Sequence, residues 1–113
     1  MKTLSVEIKT KELADAVKET EEYKNLDSAH ARLQLDVTAQ DIVTQLQSLQ
    51  EKIEAAQMEG KPLDNSQINE VKGLQIAAQQ NETLDRLFKA QEAFNGLMQG
   101  VSEKISEELY RNK

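Results

Sequence analysis

Residues 38–60 read TAQDIVTQLQSLQEKIEAAQMEG. The apolar residues Ala39, Ile42, Leu46, Leu49, Ile53 and Ala56 step by 3, 4, 3, 4 and 3. That rhythm places them on one face of an α-helix. It is also the spacing of a heptad seam, and such a seam demands a second helix to bury against. Thr38 precedes the pattern with Asp41 at the third helical position, which reads as an N-cap close to a capping box. Gly60 closes the helix as a left-handed C-terminal residue, and Pro62 prevents its restart.

The same grammar extends in both directions. Downstream, Asp64-Asn65-Ser66-Gln67 caps a helix as an acidic variant of the capping box. Its core face is Ile68, Val71, Leu74 or Gln75, and Ala78. Gly73 inside it costs about 1 kcal/mol relative to Ala and reads as a close helix approach. Asn81 caps again, and a long helix follows from about Glu82 to Tyr110. Leu84, Leu87, Gln91, Phe94, Met98, Val101 and Ile105 keep its 3–4 rhythm, and Phe88, Ala90, Leu97 and Leu109 widen the face. Gly96 and Gly100, four apart, read as a close crossing or a bend. At 1.5 Å per residue this helix is ~43 Å long. That is long for a chain this small, and it directs part of the helix to another subunit.

Upstream, Thr20 with Glu21 and Glu22 reads as an N-cap with acids at the positive end of the helix dipole. Tyr23, Leu26, Ala29, His30 and Leu33 follow at helical spacing, and the helix is expected to end near Asp36. Before it, Leu13, Ala14 and Val17 lie on one side of a further helix. Leu4, Val6 and Ile8 alternate weakly, as an extended arm or an early helical turn. We read a helix starting between Ser5 and Thr10. The expected fold is all-α: an antiparallel helical bundle of four to five helices with a long C-terminal helix, in a single domain over residues 1–113.

Composition narrows the function. The 113 residues hold no Cys and no Trp, one His, one Pro and 4 Gly, with 4% aromatics. Disulfides and Cys-based zinc sites are therefore excluded, and a β-sandwich or barrel is disfavoured. No apolar run is long enough for a transmembrane helix. Met1-Lys2-Thr3-Leu4 leads into mixed charge rather than a signal-peptide core, so a cytoplasmic location is expected. The net charge of −6 is spread along the chain with no basic stripe. Direct binding to nucleic acid or to an anionic membrane is thus not expected.

Catalytic chemistry lacks its parts. Asp27-x-x-His30 forms one Asp-x-x-His pair on a helix, but carboxylate-bridged dimetal bundles use two such pairs and two more acids, and the chain has only one His. The serines Ser28, Ser48, Ser66, Ser102 and Ser106 sit at caps or on polar faces without a nucleophile elbow. Gly96-x-x-x-Gly100 has no Lys-Ser/Thr after it, so it is not a phosphate loop. Glu21-Glu22 and Glu107-Glu108 are sequence neighbours that point apart on a helix. No catalytic, cofactor-binding or metal-binding residue is expected, and the protein reads as a non-enzyme without a cofactor.

Several blocks together resemble the YlbF/YmcA family of small helical bacterial proteins. The first is Glu19-Thr-Glu-Glu-Tyr-Lys-Asn-Leu26 with Ala29, Leu33 and Asp36. The second is Ala39-Gln40 with Leu46-Gln47, Leu49-Gln50, Gln57 and Gly60-Lys61. The third is Asn81, then Ala90-Gln91-Glu92, Phe94, Leu97-Met98 and Ile105. In detail the chain is most similar to a short, cysteine-free subgroup whose role is not established. The resemblance implies an antiparallel all-α arrangement, dimers or higher oligomers, and regulation without catalysis. Its better-known members form a complex that modulates RNase Y-dependent mRNA processing and, through it, competence, biofilm and sporulation programmes. Some of them hold an iron–sulfur cluster on cysteines, which this sequence lacks.

The expected function is therefore a self-associating regulatory adaptor; the alternatives are a homo-oligomeric helical protein with no RNA-processing link and, behind it, a direct RNA-binding or metal-binding protein. Its partners would be a second copy, as a homodimer or higher homo-oligomer, and a regulatory protein. The candidate interaction faces are Ile42, Leu46, Leu49 and Ile53 on the central seam, and Leu84, Leu87, Phe94, Leu97, Val101 and Ile105 on the long helix.

Overall fold

The computed structural model describes residues 2–111. Five helices follow in order: α1 (Lys2–Lys18), α2 (Glu21–Leu33), α3 (Val37–Met58), α4 (Asn65–Gln80) and α5 (Glu82–Tyr110). No strand occurs among the described residues. The all-α expectation holds, including the long C-terminal helix of 29 residues. Two compact units emerge. One is His30–Leu87; the other joins the chain up to Ala29 with the chain from Phe88 onward.

The unit His30–Leu87 is built around the α3–α4 hairpin. Asp36, in extended conformation (φ −116°, ψ 96°), is the N-cap of α3 and accepts from the Ala39 N–H at 3.0 Å. Thr38, expected to be the cap, is already the second residue of the helix. The Gln40 side-chain amide bonds the Leu33 carbonyl at 2.9 Å and fixes the turn from α2 to α3. At the far end Gly60 adopts φ +73°, as expected. The Lys61 N–H reaches back to the Ala56 carbonyl at 2.9 Å, and the Gly60 N–H to Gln57 at 3.1 Å. This pair of bonds is a Schellman motif, which satisfies the last orphan carbonyls of α3.

After Pro62 the chain reverses, and α4 packs back along α3. The capping box of α4 forms as read: Asp64 Oδ1 accepts from the Gln67 N–H at 2.8 Å, and Gln67 Oε1 accepts from the Asp64 N–H at 3.2 Å. Asn81 ends α4 and starts α5, its Oδ1 accepting from the Leu84 N–H at 3.0 Å. Ala39, Ile42, Leu49, Ala78, Leu84 and Leu87 are the buried apolar residues here, Leu84 completely so. Each large one contributes about 1.5–3 kcal/mol by leaving water.

The other unit contains α1, the start of α2 and the C-terminal part of α5. Helix α1 begins at Lys2, earlier than the sequence pattern suggested. Thr20 Oγ1 accepts from the Tyr23 N–H at 3.2 Å and so starts α2. Helix α2 stops at Leu33, short of the expected end, because Asp36 has turned extended to cap α3. Tyr23 and Phe94 meet with ring centroids 6.1 Å apart at 59°, a tilted pair of the favoured kind. Leu26 and Ala29 are buried. No described residue of α1 is buried; Val17 alone is half-buried.

Candidate interaction surface

Among the described residues no buried side-chain nitrogen or oxygen lacks a hydrogen-bond partner. No group of three His, Asp or Glu among them could hold a metal ion. Asp27 and His30 lie exposed on α2. The groove between α3 and α4 is lined by Thr44, Gln45, Ser48, Lys52 and Glu70 over Leu49 and Leu74, mostly polar and open to water. No described helix is long and apolar enough to cross a membrane.

One titrating group is held away from its ordinary range. Asp36 is lowered, first by the Thr83 hydroxyl, which donates to its Oδ2 at 2.6 Å, and then by the Ala39 N–H at its Oδ1. Both donors favour the carboxylate over the acid. Thr83 itself is buried. This bond spans 47 positions in sequence and ties the first turn of α5 to the start of α3. Neither residue stood out in the sequence as a pair, since only the fold brings them together.

The candidate faces divide by accessibility. Ile42, Leu49, Leu84 and Leu87 are buried within the chain, and Leu46 and Ile53 are half-buried beside them on α3. On α5 the face opens progressively toward the C-terminus. Phe94, Leu97 and Val101 are half-buried, whereas Ile105 is 49% exposed and Leu109 65% exposed. Leu13 of α1 joins Leu97, Val101 and Ile105 around a shallow, almost wholly apolar hollow that Gly96 and Gly100 border. A Cβ placed on Gly73, Gly96 or Gly100 would meet nothing within 4 Å. The close approach read from these glycines is therefore not made by any described residue.

Helix α1 supplies residues that the sequence list of faces omitted. Leu4, Val6 and Ile8 are 56%, 65% and 50% exposed. At 100° per residue, Val6 shares the side of Leu13 and Val17, whereas Leu4 and Ile8 occupy the opposite side. Helix α1 thus offers apolar surface in two directions. Their weak alternation looks like a strand, and that hid the four-residue step from Leu4 to Ile8.

These features define a class: an all-helical protein whose exposed special features are apolar helix faces. The chain belongs to the family described as control of competence regulator ComK, YlbF/YmcA, whose model matches residues 6–110. A UPF0342 protein of Alkalihalophilus pseudofirmus is 25% identical over 107 residues, covering 92% of this chain and 91% of the relative. One of Pediococcus pentosaceus is 26% identical over 104 residues, covering 89% and 91%. Among solved structures, Bacillus subtilis RicA, crystallised in complex with RicF, superposes with a TM-score of 0.78 at 18% identity, covering 96% of each chain. A protein of unknown function (DUF964) from Bacillus stearothermophilus superposes with a TM-score of 0.71 at 24% identity, covering 96% and 97%. These superpositions establish the helical fold.

Proposed function

We propose that this protein is a non-enzymatic, self-associating regulatory adaptor of the cytoplasm that acts through helix-face contacts with other proteins. The observation that carries the reading is the open apolar face on α1 and the C-terminal half of α5, which surrounds an almost wholly apolar hollow. Membership of a family described by control of a competence regulator supports a regulatory role. RicA, with the same fold, has been crystallised with a protein partner. In this reading the chain works as one domain, since the family model runs across both units. The family resemblance extends the proposal to RNase Y-dependent mRNA processing as the process regulated. Direct RNA contact is not part of it, because the surface is acidic and lacks clustered cations.

The test is capture of the tagged full chain from its native cells, followed by identification of what is bound. Recovery of RNase Y or its associated regulators supports the proposal. Recovery of this chain alone favours a homo-oligomer with another task and removes the mRNA-processing link.

A further inference from the structure

We infer that Asn81 is a one-residue hinge: besides the bent arrangement, in which α4 and α5 are separate, the chain takes a second one in which they form a single helix from Asn65 to Tyr110. Only Asn81 leaves the helical conformation between Gln80 and Glu82. Its φ of −87° already suits a helix, and only its ψ of 115° does not. Turning that one angle by about 160° to the helical value joins the two helices. The helical bonds on either side are already in place: the Asn81 N–H reaches the Ala77 carbonyl at 3.1 Å, and the Asp85 N–H reaches the Asn81 carbonyl at 2.9 Å. The amides of Glu82, Thr83 and Leu84 are the ones that change partner.

The break is not written into the chain as the one after α3 is. There Gly60 holds φ +73° and Pro62 follows, so the helix must stop. No Gly or Pro lies between Gly73 and Gly96. Residues 74–80 read LQIAAQQ and residues 82–87 read ETLDRL, mostly good helix formers. The apolar rhythm also passes through Asn81 without a change of phase. Leu74, Ala77, Leu84 and Leu87 step by 3, 7 and 3, so a joined helix keeps them on one face.

What holds the bend lies mostly elsewhere in the fold. Of the local groups, Asn81 Oδ1 takes the Leu84 N–H at 3.0 Å. The other restraints are the Thr83 hydroxyl bond to Asp36 Oδ2, 47 positions away, and the complete burial of Leu84. Against them, a joined helix gives each of the three amides a carbonyl of its own helix, which the first turn of α5 lacks. The bend is thus a tertiary choice made over a local preference for helix, and an element placed between two such terms has two discrete arrangements. Turning ψ redirects everything after Asn81 relative to α4, so the packing of α4 on α3 and the Thr83 bond to Asp36 do not both persist unchanged. Whatever competes for either one releases the hinge.

Spin-label distances by pulsed EPR on the full chain test this. The chain has no cysteine, so Asn69→Cys with Asn95→Cys takes one label on each helix, both at exposed positions. A single straight helix sets these positions ~39 Å apart, and any bend brings them closer. The labelled parent is expected to show the shorter distance as its main population. Asn81→Ala with Thr83→Val removes both the cap and the bond to Asp36, and should move most molecules to the long distance with helicity retained. Adding Glu82→Pro should return them to the shorter one. Proline suits the first position of α5, holds the residue before it near ψ of about +120 to +160°, and cannot sit inside a joined helix. A distribution for Asn81→Ala/Thr83→Val that coincides with the parent's overturns the inference, and so does a long distance that survives Glu82→Pro. Should that pair of substitutions cost helicity, Asn81→Ala alone, which keeps the Thr83–Asp36 bond, is judged by the same criteria.

Discussion

The Thr83 hydroxyl donates to Asp36 Oδ2 at 2.6 Å while the other oxygen of that carboxylate caps α3. One side chain thus ends the turn after α2, starts α3 and anchors the first turn of α5. Replacing Thr83 by Val keeps the shape and removes the donor. We expect Thr83→Val to lower the urea midpoint at neutral pH, with the loss read as slippage of α5's first turn in amide exchange.

The same bond carries a pH dependence. Asp36 is depressed in the folded chain, so its contribution is present above the ordinary carboxylate pKa of about 3.9 and is lost as pH falls through the lower folded value. Native protein and Thr83→Val should therefore differ most near pH 7 and converge in acid. Denaturation midpoints at pH 7 and pH 3 check this; an equal gap at both would show that the hydroxyl does not act through the charge.

Helix α4 depends on its capping box. Asp64→Ala should cost about 1 kcal/mol, and Asp64→Asn much less, because Asn also accepts from the N3 amide. Chemical denaturation of the two variants side by side measures the difference.

Two glycines should respond with opposite signs. Gly60 holds φ +73°, so Gly60→Ala strains the backbone and destabilises by about 1–2 kcal/mol although there is room for the methyl group. Gly73 is helical with open space around it, so Gly73→Ala should stabilise by about 1 kcal/mol. Thermal melts of both variants give the two signs.

Burial separates core from surface on the same logic. Leu84→Ala, at a completely inaccessible site, should cost about 2–5 kcal/mol. Met58→Gln, at a site 90% exposed, should stay within about 0.5 kcal/mol of the parent. Equal effects in urea titrations would contradict the assigned burial.

Most of the helical grammar was legible because it is local. The Asp64 box, the Gly60 reversal, the Asn81 cap and the limits of α5 all depend on residues within one turn of each other. The misplaced cap at Thr38 shows where locality ends. Thr38 and Asp36 are both good caps two residues apart, and the choice falls to Asp36, which also binds Thr83, 47 residues away. The early start of α1 was obscured for a similar reason: Leu4, Val6 and Ile8 alternate as strand residues do, yet step around the helix as two faces. On α5 the periodicity revealed one continuous stripe but not the depth of each position. Leu84 is inaccessible and Leu109 mostly exposed along a single pattern.

Helix α1 has 17 residues and none of the described ones is buried. A helix of that length with so little tertiary support sits near the margin at which water unwinds it. Urea should therefore loosen α1 well before the α3–α4 hairpin, so that unfolding proceeds in stages rather than all at once.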